Sequence, residues 1–225
     1  MGGSDGDFAF HSRPIHKVTV RGFYMGRHPV TQSQWYSVMG RLYSLNEKPK
    51  EPIEMVSWRE AIAYCNKRSV VEGLEPCYKT ENGILNCYHM KNGYRLPTEA
   101  EWEFAARGGN LSCDFQYAGS DVLDEAGWYK RNSNGKAHEV GSKKENELGL
   151  HDMSGNVWEW CWDYFGYYST EDQVDPTGPP AGKTRVYRGG SFTDFAYGCT
   201  VTIRGSRPEN RGYSDIGFRI VRTCI

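Results

Sequence analysis

No apolar run in the sequence approaches the ~20 residues that span a bilayer, so no membrane-spanning helix is expected. The 27 basic and 28 acidic residues are interspersed and leave a formal net charge of -1. That balance excludes the basic stripe of a nucleic-acid binder and the juxtamembrane cluster that seeks anionic lipid. There is no CxxC pair, and the six histidines show no HxH or HxxxH spacing, so a zinc site is not expected. No long Pro/Gly/Ser run or low-complexity tract marks a linker, and residues 1–225 read as a single domain. The seven cysteines are odd in number, so a disulfide framework would leave one thiol over. No signal peptide is visible, and Met1-Gly2-Gly3 reads as a cut or mature end.

Aromatic residues are plentiful at 14%, and there are 26 glycines. Together they suggest short strands joined by long ordered loops. The stretch that organises the chain is Gly149 to Trp162, GLHDMSGNVWEWCW. Trp158, Trp160 and Trp162 alternate, so an extended strand puts them on one face, which must pack against something. Val157, Glu159, Cys161 and Asp163 occupy the other face. Ser154-Gly155-Asn156 is turn chemistry. If the chain curls there, the carboxylates of Asp152 and Glu159 and the carbonyls of Gly155 and Val157 converge. An all-oxygen set suits a hard cation such as calcium. By spacing alone, an Asx turn at Asp152 and an arginine partner for Glu159 is the plainer reading.

Along the chain, His16 to Tyr24 alternates and reads as an early strand. Three helix starts follow, each a capping box: Thr31 with Gln34, Ser57 with Glu60, and Thr98 with Glu101. Trp35, Val38 and Met39 give the first helix its apolar stripe, and Gly40 stops it. Val56 and Ala61 sit at staple positions on the second. Trp102, Ala105 and Ala106 face inward on the third, and Gly108-Gly109 ends it. Glu99 and Glu101 read as first-turn residues favoured by the helix dipole. Tyr78 to Tyr88 reads as a hairpin turning at Asn82-Gly83. Its register pairs Cys77 with Tyr88 and Cys87 with Tyr78, so the two sulfurs face apart and no bridge is expected. Helices come early and strands late, which argues for an α+β fold.

The motifs carry a resemblance. Asn92 to Glu103 (NGYRLPTEAEWE), Gly155 to Trp160 (GNVWEW), Arg188 to Ser191 (RGGS) and Ile216 to Arg219 (IGFR) resemble, in order, the signatures of the formylglycine-generating-enzyme and sulfatase-modifying-factor family. The resemblance covers nearly the whole chain and implies a variant C-type lectin-like fold. It also implies calcium at the GNVWEW turn, held by Asp152, Gly155, Val157 and Glu159. The family's catalytic centre uses two cysteines five residues apart as copper ligands. By position they fall on Asp194 and Cys199, and a carboxylate cannot replace a thiolate on Cu(I). No copper is therefore expected, and Cys199 reads as a small buried apolar residue.

Ser191 to Phe218 resembles the variable region of diversity-generating-retroelement proteins, which randomise chosen positions on this fold and include a surface lipoprotein. Ala196, Cys199, Arg204, Pro208, Asn210, Arg211 and Ile216 to Arg219 match the fixed frame, while Phe192 stands where tryptophan is usual. The positions between are Thr193, Asp194, Phe195, Tyr197, Gly198, Ile203, Gly205, Ser206, Arg207, Gly212, Tyr213, Ser214 and Asp215. None is Lys, Glu, Gln, Met or Trp, the types that a mutated AAC or AAT codon cannot encode. Aromatic anchors, a few charges and small adaptable residues make a paratope-like mixture.

The reading is a non-catalytic, receptor- or adhesin-like binding protein, monomeric, displayed at the cell surface. Its ligand surface lies at about 188–220, and its partner is a protein or cell-surface molecule. The alternatives are a copper-dependent formylglycine-generating enzyme, or an inactive regulatory paralogue of one.

Overall fold

The computed structural model describes residues 1–3, 11–42 and 48–224. In chain order the elements are β1 (Val18–Thr19), β2 (Phe23–Met25), α1 (Gln32–Met39), α2 (Trp58–Val71), β3 (Tyr78–Glu81) and β4 (Ile84–Cys87). Then come α3 (Glu99–Ala106), α4 (Leu123–Ala126), β5 (Trp158–Tyr164), β6 (Gln173–Val174), β7 (Arg185–Arg188), β8 (Arg204–Arg207), β9 (Ile216–Gly217) and β10 (Val221–Thr223). The fold is α+β, with long ordered loops. No described helix is long and apolar enough to cross a membrane.

Local chemistry sets the helix starts. Thr31, Ser57 and Thr98 each accept a hydrogen bond from the backbone N–H three residues on. In each case the Gln34, Glu60 or Glu101 side chain reaches back to the cap N–H. Gly40 ends α1 at φ 75°, where a side chain would be strained. The hairpin forms as its turn demands: Asn82 and Gly83 take φ 51° and 79°, and Tyr78 pairs with Cys87. All seven thiols are free. The early strand is different from its sequence pattern. It breaks at Val20–Gly22, because β1 pairs with β6 in parallel while β2 pairs antiparallel with β10.

The central sheet has the order β8-β7-β5-β9. On one face, Trp158, Trp160 and Trp162 of β5 pack with Trp35, Trp58, Tyr64 and Phe218. Trp35 stacks on Tyr64 at 5.5 Å, and Phe218 meets both rings edge-on. The opposite face of β5 is buried too. Cys161 packs there with Trp102, Ala105 and Val186. Glu159 on that face is fully buried.

Burying that glutamate requires a partner. Arg219 donates Nε and Nη2 to the two carboxylate oxygens at 2.6 Å each, and Trp102 Nε1 adds a third bond at 2.7 Å. The same device recurs on α3, where Glu99 and Glu101 do stand in the first turn but have a second role. They and Glu103 are buried carboxylates that need partners. Glu99 meets Arg204, Glu101 meets Arg95, and Glu103 meets Arg188. Each carboxylate is desolvated, so only a close guanidinium makes its charge tolerable.

Removing one partner should therefore be costly. Glu159→Gln leaves Arg219 buried and uncompensated, and urea melts should show a loss of about 3–5 kcal/mol. The double change Glu159→Gln with Arg219→Met should recover part of it. A single-variant loss below about 1 kcal/mol would mean the pair contributes nothing net.

Candidate functional site

The Gly149–Trp162 stretch curls as its turn residues require. Asp152, Gly155 and Asn156 all have positive φ, at 58°, 89° and 62°. A Cβ at Gly155 would lie 2.3 Å from the Trp128 carbonyl oxygen, so only glycine fits. Asn156 bridges to His138 through both its amide oxygen and its nitrogen, which fixes the turn against the loop 127–146.

The two carboxylates of the turn differ. Glu159 already has its countercharge in Arg219. Asp152 is buried and accepts only neutral donors: the Gly141 N–H at 2.8 Å and the Asn156 side-chain amide at 3.3 Å. Among the described residues no Lys, Arg or His forms an ion pair with it, and burial pushes its carboxyl up from the usual range. A hard cation would supply the missing charge, so the donor chemistry around Asp152 suits one. Glu159 would have to share its oxygens with Arg219.

At the two positions where the resemblance would put copper-binding cysteines, Cys199 is buried with its thiol pushed up by desolvation and then by Asp194. Asp194 is held by Ser191, whose N–H and Oγ donate to Oδ2 at 3.0 and 2.5 Å. It closes the turn that leads into a 3₁₀ segment at Ala196–Cys199. The pair is thus a turn-closing carboxylate beside a neutral thiol. Thiolate is the form that binds metal or attacks, and this environment opposes it.

Twelve of the thirteen between-frame positions are exposed or half-buried, and Gly198 is the buried one. Their centre is Tyr187 of β7, which stands edge-on to Trp158 at 4.8 Å. Gly205 lies directly opposite Tyr187, and a Cβ there would meet the ring at 2.4 Å. Arg207, Asp194 and Asp215 lie close enough to act on the Tyr187 hydroxyl electrostatically. Arg207 also covers the Tyr213 ring at 4.5 Å. Phe195 and Tyr197 stack at 5.8 Å, and the Lys130 ammonium sits 4.1 Å over Phe195. Thr193 and Ser214 are exposed beside these groups in sequence, and Ile203 packs its side chain against the tryptophan core.

Three positions do not join this surface freely. Gly198 is buried. Ser206 lies opposite Val186, whose side chain is in the core under α3, so Ser206 points to the far face of the sheet. A Cβ at Gly212 would lie 2.0 Å from the Met55 carbonyl oxygen, leaving no room for a side chain. Conversely, Tyr187 and Lys130 belong to the surface and were missed. Alternation of Arg185 and Tyr187 in the strand leading to RGGS is a signal for the first. Lys130 sits in an irregular loop and has none.

Residues 1–224 match the family model described as the sulfatase-modifying factor enzyme 1-like domain. The chain belongs to that family. The structure of the Treponema denticola variable protein 1 is similar, with 36% identity, coverage of 99% of this chain and 91% of that one, and a TM-score of 0.89. The chaperone protein LppX of Paenibacillus barcinonensis is 37% identical over 92% of this chain and 82% of its own length. The formylglycine-generating enzyme of Streptomyces coelicolor is 32% identical over 84% of this chain, which spans 58% of that enzyme. The family therefore includes members named as catalysts and members that are not.

The surface should tolerate change. Replacing Phe195, Tyr197 and Arg207 by Ser, and Ser214 by Tyr, should alter stability by no more than about 1 kcal/mol in urea melts. Gly212→Ala alone should cost more than the four together. Comparable losses for both would place the four side chains within the fold's own packing.

Proposed function

We propose that this protein is a non-catalytic binding protein that presents the surface around Tyr187 to a protein or cell-surface molecule. The observation that carries this reading is the gathering of Asp194, Phe195, Tyr197, Gly205, Arg207, Tyr213 and Asp215 over a tryptophan-based core. Rigid aromatic anchors interleaved with charges and small residues resemble a paratope, and a stiff frame lets such residues vary. On this reading the positions are diversified by a retroelement, and the protein works as a monomer at the cell surface. The likeness to a variable protein and to a protein named as a chaperone supports binding over turnover. The family's named enzymes support the competing reading.

Copper chemistry needs two soft ligands, and Asp194 replaces one of them. Incubation with Cu(I), oxygen and a sulfatase-derived cysteine peptide should therefore give no aldehyde product by mass spectrometry. Turnover would end the binding-only reading. Labelled protein should also lose at least tenfold in affinity for whichever cell or protein captures it once Tyr197 and Arg207 are replaced by Ala. Unchanged capture would move the ligand surface elsewhere.

A structural calcium ion belongs to the same proposal. Asp152 and Glu159 would hold it with the carbonyls of Gly155 and Val157, and it would supply the countercharge Asp152 lacks. A chelator should then lower the melting temperature, and Asp152→Asn should abolish that response. Equal melts with and without chelator would remove the ion.

A further inference from the structure

The loop 165–183, which carries no part of the Tyr187 surface, folds over the end of β5. Beneath it lies a cavity of about 350 Å³. Its floor includes Asp163, and Tyr164, Tyr167, Tyr168 and Pro179 form much of its wall. That volume is at the lower end of small-ligand sites.

Asp163 is 4% exposed. Its Oδ2 accepts the first N–H of α3, from Glu99, at 2.8 Å. Its Oδ1 has no donor among the described residues, and no Lys, Arg or His pairs with the carboxyl. This separates it from Glu99, Glu101, Glu103 and Glu159, each of which has an arginine. The neighbouring Arg204 commits four of its five N–H groups elsewhere. It donates to Glu99, to the Gly166 carbonyl and to the His11 carbonyl. An asparagine or serine would cap α3 as well as Asp163 does. The fold therefore uses Asp163 as an acceptor and does not call for a charge there, and the carboxyl lines a cavity walled by tyrosine rings.

We propose that this cavity binds a small organic ammonium ion, with Asp163 as counterion and the Tyr167 ring as its cation–π face, since Arg185 and Arg204 already cover the Tyr164 and Tyr168 rings. A bare metal ion fits less well, since among the described residues no cluster of three or more His, Cys, Asp or Glu side chains is arranged to hold one.

The site has a built-in pH response. Burial and then Glu99 push Asp163 up to about 8, with Glu101 adding to the rise. The Glu99 N–H and Arg204 oppose it. Arg185 from β7 and Cys161 from β5 also lie within electrostatic reach, and His16, Tyr164, Tyr168 and the Met1 amine face the cavity. At neutral pH the carboxyl holds its proton. An entering ammonium ion must release that proton to the solvent, so binding strengthens as pH rises from 6 to 9. Stability without ligand runs the other way. The folded state binds a proton that the unfolded chain has already lost, so stability falls as pH climbs from about 4 through 8.

The test is isothermal titration calorimetry of the full chain with choline and with cadaverine, at pH 6 and pH 9. Binding should be at least tenfold tighter at pH 9, and buffers of different ionisation enthalpy should report nearly one proton released at pH 7. Asp163→Asn keeps the acceptor for the Glu99 N–H. It should fold, lose at least tenfold in affinity at pH 9 and lose the pH slope. Tyr167→Ala, at an exposed position, should weaken binding several-fold. No heat with either amine up to about 10 mM, binding unaffected by Asp163→Asn, or equal binding of a neutral sugar would overturn the proposal. None of these outcomes bears on the surface around Tyr187.

Discussion

A glutamate in the middle of a tryptophan strand is the constraint on which the fold turns. Strand period puts Glu159 on the face opposite Trp158 and Trp160, and both faces are covered. A slip of one residue would drive the carboxylate into the tryptophans, so the register of β5 is fixed by where its charge can be neutralised. Arg219 does this, and its other N–H groups go to the carbonyls of Gly26 and His151. One guanidinium thus ties the segment after β2, the Gly149–Trp162 stretch and the C-terminal strand to the central sheet. A partly satisfied network here would be worse than an apolar one.

The sequence disclosed what is local and concealed what is distant. A capping box spans four residues and a hairpin turn spans two, so both could be read directly and both formed as read. The pairs that hold the core lie 60 residues apart for Glu159 with Arg219 and 105 for Glu99 with Arg204. Nothing in a single chain says which arginine crosses to which glutamate. The early strand was misjudged for the same reason: its two halves pair with residues more than 150 positions away. At the surface, resemblance supplied thirteen positions but not their directions. Only the β7–β8 register turns Ser206 away, and only the Met55 carbonyl closes Gly212 to any side chain.

The surface can be permissive because its residues contribute little that the frame needs. Phe195 and Tyr197 stack on each other, and Arg207 lies over Tyr213. Beneath them the large buried rings are already packed among themselves. Tyr187 is the junction between the two layers. It leans on Trp158 and Trp160 from above and fills the space beside Gly205. A larger residue at 205 would have to displace that ring, so identity there would reshape the centre of the surface and the contact with Trp158 and Trp160 beneath it.

On the proposed reading, an aspartate at 194 where the family has a cysteine removes more than a ligand. Held by Ser191, the carboxylate closes the turn before Ala196–Cys199 and lies near the remaining thiol. Burial already disfavours the Cys199 thiolate, and the added negative charge disfavours it further. The substitution therefore acts twice, deleting one soft donor and silencing the other. Meanwhile it gives the 3₁₀ segment a firmer start and leaves Phe195 and Tyr197 projecting from it. On the proposed reading, features that in a catalyst would aim thiols at a metal steady the base of an exposed surface here, and the same geometry would serve recognition instead of redox chemistry.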